Sequence, residues 1–320
     1  MKVLVTGAGG FIGREVLRRL ASEPDLRVIA LDARLDGLVA SPTLTLCTGD
    51  LCEASTRAAA IGDGVDVLVH LASVPGGAAE ADPALSQRVN VDATLDLFAA
   101  AARVGNRPRV VFASTIAVYG DPLPAQGVDD ATPPAPRMIY GAHKAMAEIG
   151  VATLSRRGAI DGLSLRLPGI LARPKGPSGQ KSAFMSNLFH ALREGQPFVS
   201  PVSAQGTMWL MSVTQCAENL ARAIRSVDFA RLPPGRAFTL PAQRVTMGAL
   251  AHAVARQAGA SAVAVTYLPD AALEAGFAAQ PPLATPAAEA AGFAHDGDVD
   301  ALVSRALAVI ARSDLAGQFP

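Results

Sequence analysis

The sequence predicts an α/β fold in which a doubly wound parallel sheet carries a smaller, mixed cap at its C-terminal end. Three observations support this prediction. Short β-branched apolar runs alternate with longer helical patterns through the first half, a glycine-rich turn directly follows the first run, and the alternation stops after Pro168. Strand–helix alternation of this kind is typical of parallel sheets whose right-handed crossovers place helices on both faces.

The apolar runs of the first half are the candidate strands. They span residues 2–6, 26–31, 44–47, 65–70, 109–113 and 163–167, and we expect the strand order 3-2-1-4-5-6. The helical patterns between them include residues 11–22, 83–104 and 136–155. Half of the residues are hydrophobic and only 5% are aromatic, so small aliphatic side chains fill a core that suits a sheet buried on both faces.

The pattern changes after Pro168. Residues 172–181 are rich in proline, glycine and cationic residues and predict a long loop, and residues 279–286 form a second proline-rich break. Helical patterns cover residues 182–194, 218–227, 247–258 and 298–312. We therefore expect a dinucleotide-binding domain over residues 1–170, with a returning segment near 207–228, and a smaller substrate-binding domain over residues 171–320.

Composition excludes several classes of partner. The 28 basic and 28 acidic residues cancel, and no basic stripe with interleaved aromatics predicts binding to nucleic acid. No apolar stretch is long enough to cross a membrane, and the first residues do not resemble a signal peptide, so we expect a cytoplasmic protein. Three cysteines at irregular spacing predict reduced thiols, without a disulfide framework or a metal site.

A glycine-rich turn directly follows the first strand. Gly7, Gly10 and Gly13 have the spacing GxxGxxG and stand between a strand and a helix. One glycine allows a tight turn, a second lets a pyrophosphate approach bare backbone, and the third lets the helix pack closely on the strand. This context predicts the phosphate-binding turn of a Rossmann-type fold.

Acidic residues follow the second and third strands. Asp32 lies nineteen residues after Gly13, where a carboxylate accepts hydrogen bonds from the adenosine ribose and repels a 2′-phosphate. This favours NAD over NADP, although Arg34 could instead bind a phosphate. Asp50 and Leu51 follow the third strand, where the carboxylate could reach adenine or simply stand in a loop.

The fourth strand ends at His70, which we expect to be a core histidine. Leu71, Ala72 and Ser73 follow it and lie beside the cofactor if the predicted strand order holds. Asn90, in the next helix, could brace the active-site backbone without touching substrate.

Tyr140 and Lys144 are four residues apart and therefore share one face of a helix. A tyrosine has an ordinary pKa of about 10, and a nearby ammonium together with an oxidised nicotinamide ring can stabilise its phenolate. Upstream, Ser114 and Thr115 stand at the carboxyl end of the fifth strand, where open α/β sheets bind ligands. A hydroxyl there can hold the substrate oxygen whose proton the tyrosine transfers.

Together these motifs resemble those of the extended short-chain dehydrogenase/reductases, over essentially the whole chain. The resemblance implies that Tyr140 is the acid/base, Lys144 its partner and Thr115 the catalytic hydroxyl, with Ser114 just before it. It also implies a homodimer formed through a helix bundle. The expected cofactor contacts are Gly7, Gly10, Phe11, Ile12, Gly13, Asp32, Asp50, Leu51, Leu71, Ala72, Ser73, Asn90, Tyr140, Lys144 and Pro168.

Three departures narrow the reaction. Ile116 and Ala117 stand where the family's sugar dehydratases carry an acidic pair, and the segments at 166–174 and 207–213 lack the patterns by which its epimerases grip a nucleotide diphosphate. Segments 167–174, 178–189 and 208–213 are similar instead to the D-erythronate dehydrogenase branch, which implies NAD-dependent oxidation of a small hydroxy acid. A nucleotide-sugar epimerase and a non-catalytic dinucleotide sensor remain alternatives.

A small anionic substrate needs a compact binding site that contains positive charge. Arg173, Lys175, Ser178 and Lys181 lie within nine residues of the loop after Pro168, ahead of the helix predicted to begin at Ser182. Trp209 could exclude water. Taken singly, these residues are interpreted more simply as a solvated loop and a core tryptophan, but as a set they favour a small anionic substrate over a sugar nucleotide. The expected substrate contacts are Ser73, Thr115, Tyr140, Arg173, Ser178, Ser182 and Trp209.

Overall fold

The computed structural model describes residues 1–104, 107–120, 122–175, 181–229, 232–262 and 264–316, and the side chains of all these except residues 181 and 313–316. Its main sheet has seven strands, all paired in parallel, in the order β10-β6-β5-β4-β1-β2-β3. The predicted order 3-2-1-4-5-6 is confirmed, and one strand from the second half extends it. The strands are β1 Lys2–Thr6, β2 Arg27–Asp32, β3 Leu44–Thr48, β4 Val67–His70, β5 Arg109–Thr115, β6 Asp161–Leu167 and β10 Ala237–Thr239.

Helices cover both faces of this sheet, and its central strands are therefore buried on each side. The predicted helix over residues 83–104 is divided into a short α-helix, a π-helical stretch at Gln87–Ala93 and a second α-helix. The helices of this half are α1 Phe11–Leu20, α2 Ala54–Ile61, α3 Gly76–Ala81, α4 Pro83–Ser86, α5 Thr94–Arg103 and α6 Ile139–Arg156.

The cap contains two small sheets. One joins β7 Gly169–Leu171 in parallel to β9 Thr207–Ser212, which pairs antiparallel with β11 Gln243–Thr246. The other is the parallel pair β8 Phe198–Ser200 and β12 Val265–Tyr267. The helices are α7 Phe184–Arg193, α8 Val213–Arg225, α9 Met247–Gln257, α10 Ala271–Phe277, α11 Pro286–Ala290 and α12 Val299–Ala316.

The segment near 207–228 contributes to both parts. Strand β9 belongs to the three-stranded sheet, whereas α8 buries its apolar residues in the core of the main sheet. This helix begins five residues before the predicted position 218, because the Ser212 hydroxyl accepts a hydrogen bond from the Gln215 amide and caps the first turn. None of the described helices is long and apolar enough to span a lipid bilayer.

Candidate active site

The turn between β1 and α1 has bare backbone where a phosphate would lie. Gly7 adopts a φ of +68°, and a Cβ there would approach the Ala72 amide nitrogen to 2.6 Å. A Cβ at Gly10 would meet only the Gly7 carbonyl, at 3.2 Å. Packing within the protein therefore excludes a side chain at Gly7 but nearly allows one at Gly10. A glycine at position 10 is instead expected where a ligand group must approach the backbone at the N-terminus of α1.

The Asp32 carboxylate lies at the end of β2, beside this turn. Its Oδ2 accepts a hydrogen bond from the Gly9 amide at 2.9 Å, and its Oδ1 accepts one from the Arg34 amide at 3.1 Å. Each carboxylate oxygen has a further lone pair available for a ligand hydroxyl. Sequence reasoning missed Gly9, where a Cβ would lie 2.0 Å from the Arg34 carbonyl oxygen, because that carbonyl is 25 residues away.

The loops after β3 and β4 continue the same edge of the sheet. Asp50 is exposed and accepts a hydrogen bond from the Cys52 amide, and the neighbouring Leu51 is buried. His70 is fully buried, with its ring nitrogens sharing hydrogen bonds with Thr6 at 2.7 Å and Thr94 at 2.9 Å. Burial lowers the pKa of His70 to about 3, so the ring is neutral and structural.

Asn90 stands in the π-helical stretch and braces the loop after β4. Its Oδ1 accepts a hydrogen bond from the Val74 amide at 2.7 Å, and its Nδ2 donates to the Val74 carbonyl and the Ser86 hydroxyl. The Ser86 hydroxyl also shares a hydrogen bond with His143 on α6. Because both polar atoms of Asn90 are engaged, the geometry supports bracing of the backbone next to Ser73 over direct contact with a cofactor.

Tyr140 and Lys144 occupy the first two turns of α6. The Lys144 ammonium is almost wholly buried, donates to the Ala113 carbonyl at 2.9 Å, and lies 5.9 Å from the Tyr140 ring centre. It also lies 4.7 Å from the ring centre of Phe112, a cation–π distance. Burial lowers the pKa of Lys144 to about 7, and the Glu148 carboxylate acts in the opposite direction.

The Tyr140 hydroxyl faces two polar neighbours from other elements. Burial raises the pKa of Tyr140 above its ordinary value, while a hydrogen bond with Ser73 and the charge of Arg173 act to lower it. The Tyr140 amide donates to the Glu80 carboxylate on α3 at 3.3 Å, which supplies a partner to an amide in the first turn of α6. The loop after β4 and the segment after β7 therefore both act on the charge of the Tyr140 phenol.

Ser114 and Thr115 point their hydroxyls to different partners. The Ser114 hydroxyl is buried and donates to Glu148 at 2.5 Å, whereas the Thr115 hydroxyl is partly exposed and accepts from the Ala117 amide at 3.1 Å. A Cβ on Gly141 would lie 2.0 Å from the Ala117 carbonyl oxygen, so glycine after Tyr140 allows α6 to pack against the turn beyond Thr115. Sequence reasoning missed Gly141 because its neighbour is 24 residues away.

Arg173 follows β7 and, among the described cationic side chains of this loop, is the one whose charge acts on Tyr140. Burial lowers its pKa and the Tyr140 phenol acts to raise it, and no described carboxylate forms an ion pair with its guanidinium. Its main chain is fixed by α7, since its amide donates to the Ser186 hydroxyl at 3.0 Å and its carbonyl oxygen shares a 2.7 Å hydrogen bond with His190. A small cleft beside it is lined by Gly169, Ile170, Leu171, Ser182, Met185 and Ser186.

The other predicted cap residues lie elsewhere. Lys175 is exposed and paired with Glu194 at 2.6 Å, and Ser178 and the Lys181 side chain fall outside the described residues. Trp209 is 1% exposed and donates its indole N–H to the Pro281 carbonyl at 2.8 Å, within a cluster that includes Val118. The core interpretation of this tryptophan agrees with these contacts, and the predicted substrate contact does not.

The fold and the similarity to known proteins together indicate an NAD-dependent dehydrogenase. Residues 3–234 match the model of the NAD dependent epimerase/dehydratase family, and the chain belongs to that family.

Individual relatives are similar over most of the chain. D-erythronate dehydrogenase of Cupriavidus necator is 35% identical over 269 residues, which cover 81% of this chain and 82% of the relative. D-erythronate dehydrogenase of Haemophilus influenzae is 29% identical over 231 residues, or 70% and 72% of the two chains. The crystal structure of the nucleoside-diphosphate-sugar epimerase from Agrobacterium tumefaciens superposes with a TM-score of 0.87 at 29% identity, covering 100% of this chain and 96% of that one.

Proposed function

We propose that this protein is an NAD-dependent dehydrogenase that oxidises a hydroxyl of a small sugar acid resembling D-erythronate. The observation that carries the proposal is Arg173, which lines the cleft after β7, acts on the charge of Tyr140 and has no ion-pair partner among the described carboxylates. A guanidinium binds a carboxylate through two parallel hydrogen bonds. The similarity to two D-erythronate dehydrogenases supports the same substrate class.

The cofactor is held by the turn after β1 and the loops beside it. The open backbone at Gly10, flanked by Phe11, would hold the pyrophosphate, and Asp32 would accept hydrogen bonds from the adenosine ribose. Asp50 and Leu51 would line the adenine side, and Lys144 would donate to the nicotinamide ribose. When bound, NAD accepts the hydride, and its positive ring favours the Tyr140 phenolate.

Tyr140 moves the proton. As the substrate carbon loses its hydride, the phenolate oxygen of Tyr140 takes the proton of the hydroxyl on that carbon, and a carbonyl forms. Ser73, which acts to lower the pKa of Tyr140, and Thr115, at the end of β5, hold the reacting oxygen. The charge of Arg173 acts to lower the pKa of Tyr140 against the effect of burial, and the Lys144 ammonium lies 5.9 Å from the centre of its ring.

Arg173 orients the substrate by its carboxylate. Ser186 and His190 fix the main chain of Arg173, so its side chain starts from a defined position beside the cleft. Ser182, in the same cleft, offers a further hydrogen bond. The reacting hydroxyl then lies near the carboxylate, which favours the carbon alpha to it.

A substrate panel tests the proposal. Purified protein with saturating NAD is offered four-carbon sugar acids of each configuration, the matching neutral polyols and sugar nucleotides, and NADH absorbance is followed. We expect NADH only with the acids. NADH only with neutral polyols would contradict the role of Arg173.

A nucleotide-sugar epimerase is the second candidate, favoured by the 29% identity with the Agrobacterium tumefaciens epimerase over the whole chain. Such an enzyme interconverts two sugar nucleotides without net formation of NADH. Chromatography of the sugar-nucleotide reactions therefore separates the two functions, and interconversion without NADH would replace the first by the second.

A further inference from the structure

Glu148 lies on α6 two helical turns beyond Tyr140, with Lys144 midway between them. Residues four apart share a helix face, so the phenol, the ammonium and the carboxylate form a row along α6. Glu148 is only 5% exposed, and the proposed reaction assigns it no step. A buried carboxylate is stable only when it is fully paired, so its partners show what it does.

Two groups pair with both oxygens of Glu148. Oε1 accepts a hydrogen bond from the Ser114 hydroxyl at 2.5 Å and another from Arg166 Nε at 3.0 Å. Oε2 accepts from Arg166 Nη2 at 2.8 Å. The pair with Arg166 is thus bidentate, the arrangement that fixes both distance and orientation.

The network continues across the sheet. Arg166 Nη1 donates to the Tyr119 hydroxyl at 3.0 Å, and that hydroxyl shares a 2.7 Å hydrogen bond with Thr239. Ser114, Arg166 and Thr239 lie side by side on β5, β6 and β10. Glu148 therefore connects α6 directly to β5 and β6, and through Arg166 and Tyr119 to β10, close to the carboxyl ends of these strands.

Glu148 also balances charge at Lys144. The groups that face the ammonium are the neutral His70 from β4, the Ala113 carbonyl and Phe112 ring from β5, and Tyr140 and Glu148 from α6 itself. Among the described residues, Glu148 is the carboxylate that favours the charged form of Lys144. Arg166 stands on the far side of that carboxylate.

We propose that Glu148 is a positioning residue, which fixes α6 on the sheet through Ser114 and Arg166 and keeps Lys144 charged beside Tyr140. The use of the Lys144 charge in catalysis rests on the proposed function, but the charge itself can be measured without substrate or cofactor. It also assigns Ser114 to this network, leaving Thr115 as the hydroxyl that faces substrate.

Titration of Lys144 by NMR tests the proposal. The chain has four lysines, so ¹³Cε-labelled lysine gives few signals, and Lys144→Met assigns the one of interest. Glu148→Gln keeps the shape and removes the charge, and we expect the midpoint of Lys144 to fall by about one to two pH units. Activity on the alkaline side should be lost at correspondingly lower pH.

Arg166→Met is the matched control, since it breaks the same ion pair and leaves the carboxylate. In this variant, the titration midpoint of Lys144 should stay the same or rise. An unchanged midpoint in Glu148→Gln, or an equal fall in both variants, would overturn the proposal. If the single variants do not fold, the double variant, which removes both members of the Glu148–Arg166 ion pair, must show the lowered midpoint. A lowered midpoint in a protein that oxidises no acid would contradict the proposed function alone.

Discussion

The two sides of the proposed site hold their polar side chains differently. On the main-sheet side, His70, Asn90, Lys144 and Glu148 are buried, and each has hydrogen-bond partners within the protein. On the cap side, Arg173 has a fixed main chain and a guanidinium that no described carboxylate neutralises. On the first side the polar groups pair with one another, and on the second we expect a ligand to supply the counter-charge.

In the proposed function, residues on the main-sheet side therefore carry out the reaction, and Arg173 on the cap side selects the substrate. Fixed partners around Tyr140 and Lys144 set where a proton goes and cannot be changed without breaking buried hydrogen bonds. A guanidinium that lacks an internal counter-charge favours ligands that bring one. Substitutions on the main-sheet side should therefore reduce turnover for every substrate, and substitutions on the cap side should change which substrate is used.

The largest effect is expected at Tyr140. Tyr140→Phe keeps the ring and removes the proton carrier, so turnover should fall by about 10²–10⁴-fold or more with all substrates. NAD affinity, measured by calorimetry, should barely change. Tyr267→Phe, at a partly exposed position on β12, is the control and should retain full turnover. Near-normal turnover of Tyr140→Phe would end the tyrosine mechanism.

A smaller and more selective effect is expected at Arg173. Arg173→Met removes a charge-assisted pair with the substrate carboxylate, which should lower kcat/KM for sugar acids by about 10- to 100-fold. NAD affinity should not change, because Arg173 lies on the cap side. Lys175→Met, which removes an exposed cation two residues away, is the control. Equal losses in the two variants would show that Arg173 acts through general charge alone.

Cofactor preference gives the third comparison. Asp32→Ala removes the acceptor for the adenosine ribose, and the ratio of NAD to NADP affinity should fall by about tenfold. Asp36→Ala is the control, since Arg14 contacts only the carbonyl of that residue. Tighter binding of NADP than NAD to the unmodified protein would refute the role of Asp32.

The smallest effect concerns the pH dependence of stability. The pKa of His70 falls from about 6.5 in an unfolded chain to about 3 in the folded one, so the unfolded state binds the proton more readily. The stability that the neutral ring contributes is present above about pH 6.5 and is lost as the pH falls towards 3.

Urea unfolding at pH 7 and pH 5.5 measures this loss. Between these two pH values, the free energy of unfolding of the natural protein should fall by about 1 kcal/mol more than that of the His70→Gln variant. Equal losses in the two proteins would mean that His70 can be protonated without disturbing the main-sheet side.

Local patterns predicted much of the fold and of the catalytic side. The strands, the glycine turn and the spacing of Tyr140 and Lys144 can be read from the sequence because each lies within a few consecutive residues. The network around Glu148 could not be predicted, since its partners Ser114 and Arg166 lie 34 and 18 residues away along the chain. Trp209 shows the same limit, because its burial depends on the Pro281 carbonyl, 72 residues further on.

The division of the helix over residues 83–104 has the same cause. A π-helical stretch costs helical hydrogen bonds, and here it brings Asn90 to Val74 and Thr94 to His70. These partners lie 16 and 24 residues upstream, so no periodicity within the helix could indicate them.

That π-helical stretch also makes this segment intolerant of a change in length. Asn90 is anchored in the middle of this stretch and Thr94 directly after its end. Deleting one residue between them would let the backbone return to an ordinary α-helix, but it would rotate one anchor by about 100° relative to the other. A lineage that shortened the segment would lose either the brace on the loop beside Ser73 or the anchor of the neutral histidine, whereas it could lengthen the surface loops freely.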